Sequence, residues 1–214
     1  MKKIVFFGDS VTEMCRQRDC DGSVFSYGNG FVYLVAAKLH SLYPNEYEII
    51  NRGVGGNRIV DLYARIKGDV WSQKPDVINF LVGINDVWHS RLPENNCSDL
   101  NRFEKIYRLM IEETLENLPN VKMTIGEPFV LHDETLNDIW EQIYKVRDYA
   151  KLCYNIAEEY RLPFMPLQDK LEEAAQKYGL RNYLYDGVHP AVAGASLIAD
   201  EWLKLYFEQV EKSK

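Results

Sequence analysis

Short runs of apolar residues alternate along the chain with longer segments in which apolar residues recur at helical spacing. Within residues 77–82 only Asn79 is polar, which is expected of a strand that is covered on both faces. The apolar runs predict five strands, at residues 4–7, 47–50, 77–82, 121–125 and 162–166. Strands that alternate with helices indicate βαβ units, and therefore a parallel sheet.

The segments between the strands predict the helices, at residues 31–43, 59–71, 99–118, 134–160, 167–178 and 190–210. The last helix is predicted to carry Pro190 in its first turn, where the missing N–H leaves no hydrogen bond unmade. The pattern predicts one α/β domain over residues 1–214, a three-layer α/β/α sandwich around a five-stranded parallel sheet. Ligands bind such folds at the carboxyl ends of the strands.

Composition and charge narrow the class of protein. The 214 residues are 46% apolar, with 13 Gly and 8 Pro, which excludes collagen-like and intrinsically disordered chains. The net charge of −7 disfavours binding to nucleic acid or to anionic membranes. Only four apolar residues separate Lys3 from Gly8, too few for a signal peptide, and no run approaches the roughly 18 to 20 apolar residues that span a bilayer. We therefore expect a cytoplasmic protein.

The four cysteines are Cys15, Cys20, Cys97 and Cys153. They form no Cys-x-x-Cys pair, which argues against zinc-ribbon and thioredoxin-type sites. We interpret them as reduced, structural thiols. A functional role stays open for Cys15, because it lies five positions after a candidate nucleophile.

Four short patterns fall where a predicted strand ends or where the last helix begins. They are Gly8-Asp9-Ser10, Asn51-Arg52-Gly53-Val54-Gly55-Gly56-Asn57, Gly83-Ile84-Asn85-Asp86 and Asp186-Gly187-Val188-His189-Pro190. Each pattern alone is weak evidence, because serine and asparagine are common caps and glycine pairs are common in loops. Together they supply every group that acyl transfer needs at one edge of the sheet.

Acyl transfer requires a nucleophile, a base, an acid that orients the base, and donors for the oxyanion. Ser10 is the candidate nucleophile and His189 the candidate base. Asp186 is expected to accept from His189 Nδ1 and so present Nε2 to Ser10. The backbone N–H groups of Ser10 and Gly56, together with the Asn85 side-chain amide, are the candidate oxyanion donors.

With these four patterns in this order, the sequence resembles the SGNH hydrolases, the GDSL lipase/esterase superfamily. The resemblance implies a flavodoxin-like α/β/α fold in which Ser10, Gly56, Asn85 and His189 are the four name-giving residues and Asp186 completes the triad. Further matching segments make the chain similar to the cytoplasmic acetylxylan-esterase branch: residues 51–58, Asp61-Leu62, Pro75-Asp76-Val77 and residues 83–88.

The chain departs from that branch at two positions. Gly55 stands where the branch often has Ser, and Tyr185 stands where it often has Trp, so the acyl pocket and the sugar contacts are expected to differ. Relatives in this branch often form dimers or larger rings, which makes self-association an open expectation here.

The resulting hypothesis is a serine esterase that works through an acyl-enzyme and needs no metal or organic cofactor. Its expected substrate is a small acyl ester, in particular an O-acetyl group on a sugar. A lysophospholipase or platelet-activating-factor-acetylhydrolase-like esterase is the alternative within the family, and a noncatalytic carbohydrate-binding domain is the alternative of another class. An α/β-hydrolase is disfavoured because the chain has no Gly-x-Ser-x-Gly elbow. A metal hydrolase is disfavoured because His40, His89 and His132 fall on different elements.

Four residues are predicted to contact substrate: Asp9, Trp88, Phe129 and Tyr185. They lie beside the nucleophile, after the Asn85 pattern, after the fourth strand and before Asp186, respectively. Asp9 is also expected to order the turn that carries Ser10. The roles of His89 and His132, which lie in the same loops, stay open.

Overall fold

A computed structural model of the protein describes residues 1–91 and 98–212. Five strands form one sheet in the order β2-β1-β3-β4-β5, and every neighbouring pair is parallel. The strands are β1 (Lys2–Gly8), β2 (Tyr47–Gly53), β3 (Val77–Leu81), β4 (Lys122–Gly126) and β5 (Phe164–Met165). This is the strand order of flavodoxin-like folds, and it confirms the predicted α/β architecture.

Helices cover both faces of the sheet. They are α1 (Ser10–Glu13), α2 (Phe31–Leu42), α3 (Ile59–Asp69), α4 (Ile84–Trp88), α5 (Leu100–Asn117), α6 (Trp140–Ile143), α7 (Val146–Tyr160), α8 (Gln168–Tyr178), α9 (Leu180–Tyr183) and α10 (Val192–Leu205). Helices α2 and α10 pack together on one face, whereas α3, α5 and α7 pack in sequence on the other. The two faces explain why the central strands are continuously apolar.

Strand β1 shows how its side chains alternate between these layers. The ring of Phe6 contacts Phe31 of α2 and Trp202 of α10, with centroids 5.6 and 4.8 Å apart. The next residue, Phe7, points to the opposite layer, where the guanidinium of Arg65 in α3 lies 4.4 Å from the centre of its ring. Both phenylalanines are fully buried, so the core fixes the position of β1 up to its last residue, Gly8, which directly precedes Asp9.

The predicted single helix over residues 134–160 is wrong. The chain there forms a 3₁₀ segment, Glu134–Ile139, then the single turn α6, and the long helix α7 begins only at Val146. Asp133 starts the segment by accepting hydrogen bonds from the backbone N–H and the hydroxyl of Thr135. Sequence periodicity alone does not detect such a locally capped turn. The two aromatic residues of this segment, Trp140 and Tyr144, are partly and half exposed.

Other element boundaries also differ from the predictions. Pro190 lies before the last helix, because it pairs with Leu184 in an isolated bridge and Ala191 is the residue that caps α10. Strand β2 continues past the predicted end at residue 50, and β5 has two residues where five were predicted. The extension of β2 is possible because Asn51, although buried, donates hydrogen bonds to two backbone carbonyls, those of Thr12 and Tyr27.

Candidate active site

Ser10 lies at the point where β1 ends and α1 begins. Asp9 caps this one-turn helix, since its carboxylate accepts the backbone N–H of Val11 at 3.0 Å. Asp9 is almost fully buried. Burial raises the pKa of its carboxyl to about 7, although the Val11 N–H and the nearby His189 act in the opposite direction. Asp9 therefore holds the turn beneath Ser10, and the prediction that it contacts substrate does not fit its burial.

His189 is carried by a tight turn that spans residues 184–190. The turn is closed by the Leu184–Pro190 bridge and by the backbone N–H of Tyr185, which donates to the His189 carbonyl at 3.1 Å. Gly187 adopts φ +83°, and a Cβ there would lie 2.4 Å from the carbonyl oxygen of Leu131. Only glycine fits this position, which packs the turn against the loop that follows β4.

The turn fixes the Asp186 carboxylate in two ways. Its Oδ1 accepts the backbone N–H groups of Val188 and His189, at 3.0 and 2.7 Å. Its Oδ2 lies 2.6 Å from Nδ1 of the His189 ring, and Nε2 of the same ring lies 2.9 Å from Ser10 Oγ. Because an ionised carboxylate only accepts hydrogen bonds, the proton of the neutral ring is held on Nδ1 and Nε2 is free to accept from the serine hydroxyl.

The surroundings of Asp186 and His189 favour the ionised carboxylate and the protonated imidazole. The hydrogen bond that the His189 ring donates to Asp186 raises the pKa of His189 above its ordinary value, against the opposing effect of burial, and the charges of Asp186 and Asp9 add to this rise. Burial alone would raise the pKa of Asp186, but the hydrogen bonds from the His189 side chain and backbone lower it overall. The structure thus brings together the three side chains predicted as the triad, in a geometry that can move a proton from a hydroxyl to an imidazole.

The loop after β2 and the start of α4 also lie near Ser10. At Gly55, a Cβ would lie 3.7 Å from the Cβ of Ser10, and its neighbour Gly56 adopts φ +78°, a conformation that favours glycine. Asn85 lies in the first turn of α4, and its Nδ2 donates to the carbonyl of Asn57 at 3.1 Å. The predicted oxyanion residues Gly56 and Asn85 are therefore on loops that touch each other beside Ser10.

Several residues that support these loops were not predicted from the sequence. The Arg65 guanidinium donates to the carbonyls of Gly8 and Arg52, at the ends of β1 and β2, and to the Oδ1 of Asn57 in the loop after β2. The Glu13 carboxylate accepts the N–H of Gly55 at 2.7 Å. Arg65 lies next to the apolar stripe of α3, so the sequence pattern indicates a surface cation, and only the fold shows that it is partly buried beneath the site.

The remaining predicted substrate contacts divide into two groups. Tyr185 is 49% exposed and its ring stacks on His189, with centroids 5.5 Å apart and planes at 14°. Trp88 is half-buried against the core at the end of α4. Phe129 is only 2% exposed and belongs to the core, so the prediction that it lines the site does not fit the structure. Its apolar side chain is used for packing, as most phenylalanines are.

The neighbouring cysteines and possible metal ligands complete the description. Cys15 is exposed, Cys153 is buried, and neither they nor Cys20 form a disulfide. Cys97 lies outside the described residues. Among residues 1–91 and 98–212 there is no group of three or more His, Cys, Asp or Glu side chains that could hold a metal ion. No helix in the same ranges has the length and apolar character required to cross a bilayer.

Comparisons with known proteins agree with this architecture. The model of the GDSL-like lipase/acylhydrolase family matches residues 6–197. An acetylxylan esterase of Geobacillus stearothermophilus is 32% identical over 209 residues, which cover 95% of this chain and 93% of that protein. The crystal structure of Axe2, an acetylxylan esterase from the same organism, superimposes with a TM-score of 0.85 at 28% identity, covering 100% of this chain and 97% of the other. A structure from Parabacteroides merdae, named as a GDSL-like lipase, has a TM-score of 0.86 at 29% identity and covers 95% and 94% of the two chains.

Proposed function

The chain belongs to the GDSL-like lipase/acylhydrolase family and is a carboxylic ester hydrolase, and on this premise we propose that it removes O-acetyl groups from sugars through a serine acyl-enzyme. The observation that carries the proposal is the continuous contact from Ser10 Oγ to His189 Nε2, at 2.9 Å, and from His189 Nδ1 to Asp186, at 2.6 Å. The name of the acetylxylan esterase relative supports an acetylated sugar as substrate.

In the proposed mechanism Ser10 attacks the ester carbonyl while His189 accepts the hydroxyl proton. His189 then donates this proton to the leaving sugar oxygen, and the serine carries the acetyl group. A water molecule next attacks the acyl-enzyme, with the same imidazole as base, so that acetate leaves and the serine hydroxyl is restored. Asp186 orients the ring throughout and stabilises its charged form.

The negative charge on the carbonyl oxygen needs donors that are already in place. We assign this role to the backbone N–H groups of Ser10 and Gly56 and to Nδ2 of Asn85. The Gly56 N–H has no hydrogen-bond acceptor among the described residues, which supports its availability to a substrate. The Glu13 carboxylate holds the adjacent Gly55 N–H and so supports the position of this loop.

The test is an acetate-release assay on acetylated xylo-oligosaccharides beside p-nitrophenyl acetate. The wild-type enzyme is expected to cleave both, and Ser10→Ala should lower both rates at least about 10³-fold, because removal of a serine nucleophile typically costs more than that. Ser41→Ala, an exposed serine in the last turn of α2, serves as the matched control and should retain both rates. Retention of activity in Ser10→Ala would refute the proposed nucleophile. Cleavage of p-nitrophenyl acetate alone would refute the sugar substrate and leave the esterase in place.

A groove beside the site favours a second candidate, an esterase for longer acyl chains such as a lysophospholipase. The groove has a volume of about 480 Å³ and includes Cys15. It is lined by the exposed side chains Val24, Phe25, Tyr33 and Val192, which are 53%, 63%, 39% and 86% exposed. An apolar surface of this kind could accept an alkyl chain. Under the acetyl proposal, p-nitrophenyl acetate is cleaved much faster than the octanoate, and Phe25→Ala changes neither rate. Faster cleavage of the octanoate, reduced by Phe25→Ala, would favour the second candidate.

A further inference from the structure

A second cavity opens at the same edge of the sheet, beyond the loop that follows β4. It has a volume of about 320 Å³, and its walls come from residues 130–132, from α6 with the start of α7, and from α8. We propose that this cavity binds a neutral sugar ring of an oligosaccharide whose esterified sugar lies at Ser10. The inference rests on the proposed function and adds to it an extended substrate, a chain of sugars held at two places.

Three aromatic rings form one side of the cavity. The Trp140 ring lies edge-to-face against His132, with centroids 4.7 Å apart, and 5.4 Å from the ring of Tyr144. Tyr144 is half exposed and Trp140 is partly exposed. The C–H groups on one face of a pyranose ring carry a small positive charge, and aromatic faces are negative, so a sugar ring can stack on such side chains. These rings stand at the surface because the chain breaks into short turns between residues 134 and 145.

Polar groups on the opposite side can bind hydroxyl groups. Nη1 of Arg147 is buried, yet it forms no hydrogen bond with any described residue, and its nearest carboxylate, Glu127, is 3.9 Å away. The carboxylate of Glu172 and the amide of Gln176 also line the cavity. Because acidic side chains surround the Arg147 charge, the cavity suits a neutral ligand with several hydroxyls better than an anion. A guanidinium that donates and a carboxylate that accepts are the two partners that vicinal hydroxyls need.

The position of the cavity fits a chain that also reaches the nucleophile. It lies at the carboxyl ends of β4 and β5, two and three strands from β1 in the sheet. At about 4.8 Å per strand, this places it roughly 10 to 14 Å from Ser10 along the edge. His132 and Leu180 also line an adjoining cavity, together with Arg181. The guanidinium of Arg181 donates to the carbonyl of Tyr185, at 3.4 Å, and Tyr185 stacks on His189. The two cavities therefore form a path along the surface toward the candidate active site.

The first test measures binding without catalysis. Isothermal titration calorimetry of the full-length Ser10→Ala protein uses xylotetraose and cellotetraose, which carry no ester. We expect one of them to bind, and we expect Trp140→Ala in the same background to weaken binding about five- to tenfold, the usual range for loss of one aromatic contact. Tyr144→Ala should weaken binding less than Trp140→Ala. Because the Tyr144 ring is half exposed, its removal should not prevent folding, so Tyr144→Ala replaces Trp140→Ala as the test if the latter fails to fold. Tyr154→Ala, an exposed tyrosine on α7 outside the cavity, should bind like the parent. Absence of binding by both tetrasaccharides, or equal binding by the parent and both cavity variants, would overturn the proposal.

The second test separates this inference from the proposed function. In the active enzyme, Trp140→Ala should lower kcat/KM five- to tenfold more for acetylated xylotetraose than for p-nitrophenyl acetate, mainly through KM. Tyr154→Ala should leave the ratio of the two unchanged. If acetylated sugars are not cleaved but the calorimetric result holds, the proposed substrate fails and the sugar site stands. If acetylated sugars are cleaved and Trp140→Ala lowers kcat/KM equally for both substrates, the proposed esterase activity stands and the extended sugar site fails.

Discussion

Two regions at one edge of the sheet differ in how their polar groups are satisfied. Around Ser10 the side chains of Asp9 and Asp186 are hydrogen-bonded to the backbone of their own turns, and Asn85 is hydrogen-bonded to the backbone of the neighbouring loop after β2. In the cavity beside Trp140, Arg147 lines the wall with a buried nitrogen that has no hydrogen bond among the described residues. Reacting atoms need positions fixed to within fractions of an ångström, whereas a ligand needs donors and acceptors left open for it. The difference indicates one region for chemistry and one for binding.

The largest effect that this comparison predicts is at Asp186. Asp186→Asn should lower kcat about 10⁴-fold, as in other triads where the acid is replaced by its amide. The loss should be the same for acetylated sugars and for p-nitrophenyl acetate, because the change removes orientation of the base and not a substrate contact. Asp138→Asn, an exposed position outside the site, is the matched control and should keep the wild-type rate.

The same variant should change the pH profile of kcat/KM. In the wild-type enzyme the raised pKa of His189 means that the ring becomes neutral, and active as a base, only as pH rises above its ordinary value of 6.5. Without the Asp186 charge that pKa should fall, so the acid limb should move to lower pH although the rate is much smaller. Profiles of kcat/KM between about pH 5 and 9 measure the position of the acid limb and the size of the rate for the wild type and the variant. An acid limb that stays in place would show that His189 does not titrate in catalysis.

The next effect concerns the oxyanion. Asn85→Ala should lower kcat about 10²- to 10³-fold and change KM little, because the amide donates to charge that exists only in the transition state. Asn85 also holds the Asn57 carbonyl, so thermal unfolding of the variant must be recorded beside its kinetics. Asn117→Ala, at the exposed end of α5, removes a comparable hydrogen bond to a helix carbonyl and should leave kcat unchanged. A change in KM alone would remove Asn85 from the oxyanion site.

The proposed chemical region has a stronger signal in the sequence than the proposed sugar site, for a physical reason. Chemistry requires particular residue types at strand ends, so Ser10, Asn85, His189 and Asp186 stand in short patterns that can be identified directly. The parallel sheet was equally clear, since strands buried on both faces are apolar throughout. Nothing comparable marks a sugar cavity, because tryptophan and tyrosine at helical spacing are also typical of a helix that packs in the core.

The errors come from the same ambiguity between packing and function. Trp140 and Tyr144 fit the predicted helix over residues 134–160, yet the chain forms a 3₁₀ segment and a single helical turn before α7, and Trp140 stays partly and Tyr144 half exposed. Phe129 was predicted to contact substrate and is buried. Arg65 was not identified at all, since three of its hydrogen bonds go to residues outside its own helix. Contacts of this kind depend on the folded chain and have no local pattern.

A smaller expected effect is the pH dependence of the free energy of unfolding that the buried Asp86 causes. Asp86, the neighbour of Asn85, is fully buried and accepts the backbone N–H of Ile59 at 3.0 Å. Burial raises the pKa of its carboxyl to about 8, even though that hydrogen bond acts to lower it. Because the folded state favours the protonated acid, its contribution to stability is complete below the unfolded pKa of 3.8 and is lost as pH rises through about 8.

Asp86→Asn should remove this pH dependence, because an amide can still accept from Ile59 and carries no charge. Relative to the variant, the wild-type protein should lose about 4 kcal/mol of unfolding free energy between pH 5 and about 8, because one extra bound proton in the folded state changes stability by about 1.4 kcal/mol per pH unit, and little more up to pH 9. Urea unfolding at several pH values measures the difference. Asp200→Asn, at an exposed position on α10, is the control, and its unfolding free energy should change with pH as that of the wild type does. A constant difference between wild type and Asp86→Asn would mean that Asp86 is ionised in the folded protein over this whole pH range, as it is in the unfolded chain.

The smallest effect is the coupling between the two regions. Asn85 and Trp140 lie on α4 and α6, two helices that contact each other, but the two side chains share none of their described hydrogen-bond or ring partners. Mutations at independent sites add within about 0.3 to 0.5 kcal/mol, so the kcat/KM of Asn85→Ala/Trp140→Ala on acetylated xylotetraose should equal the product of the single effects within about twofold. On p-nitrophenyl acetate the double variant should resemble Asn85→Ala. A coupling of tenfold or more would mean that the sugar held at Trp140 sets the position of the ester at Ser10, because its loss would then alter how much the oxyanion donor contributes. Agreement with the product would instead show that the cavity adds binding alone and that the residues around Ser10 fix the reacting geometry by themselves.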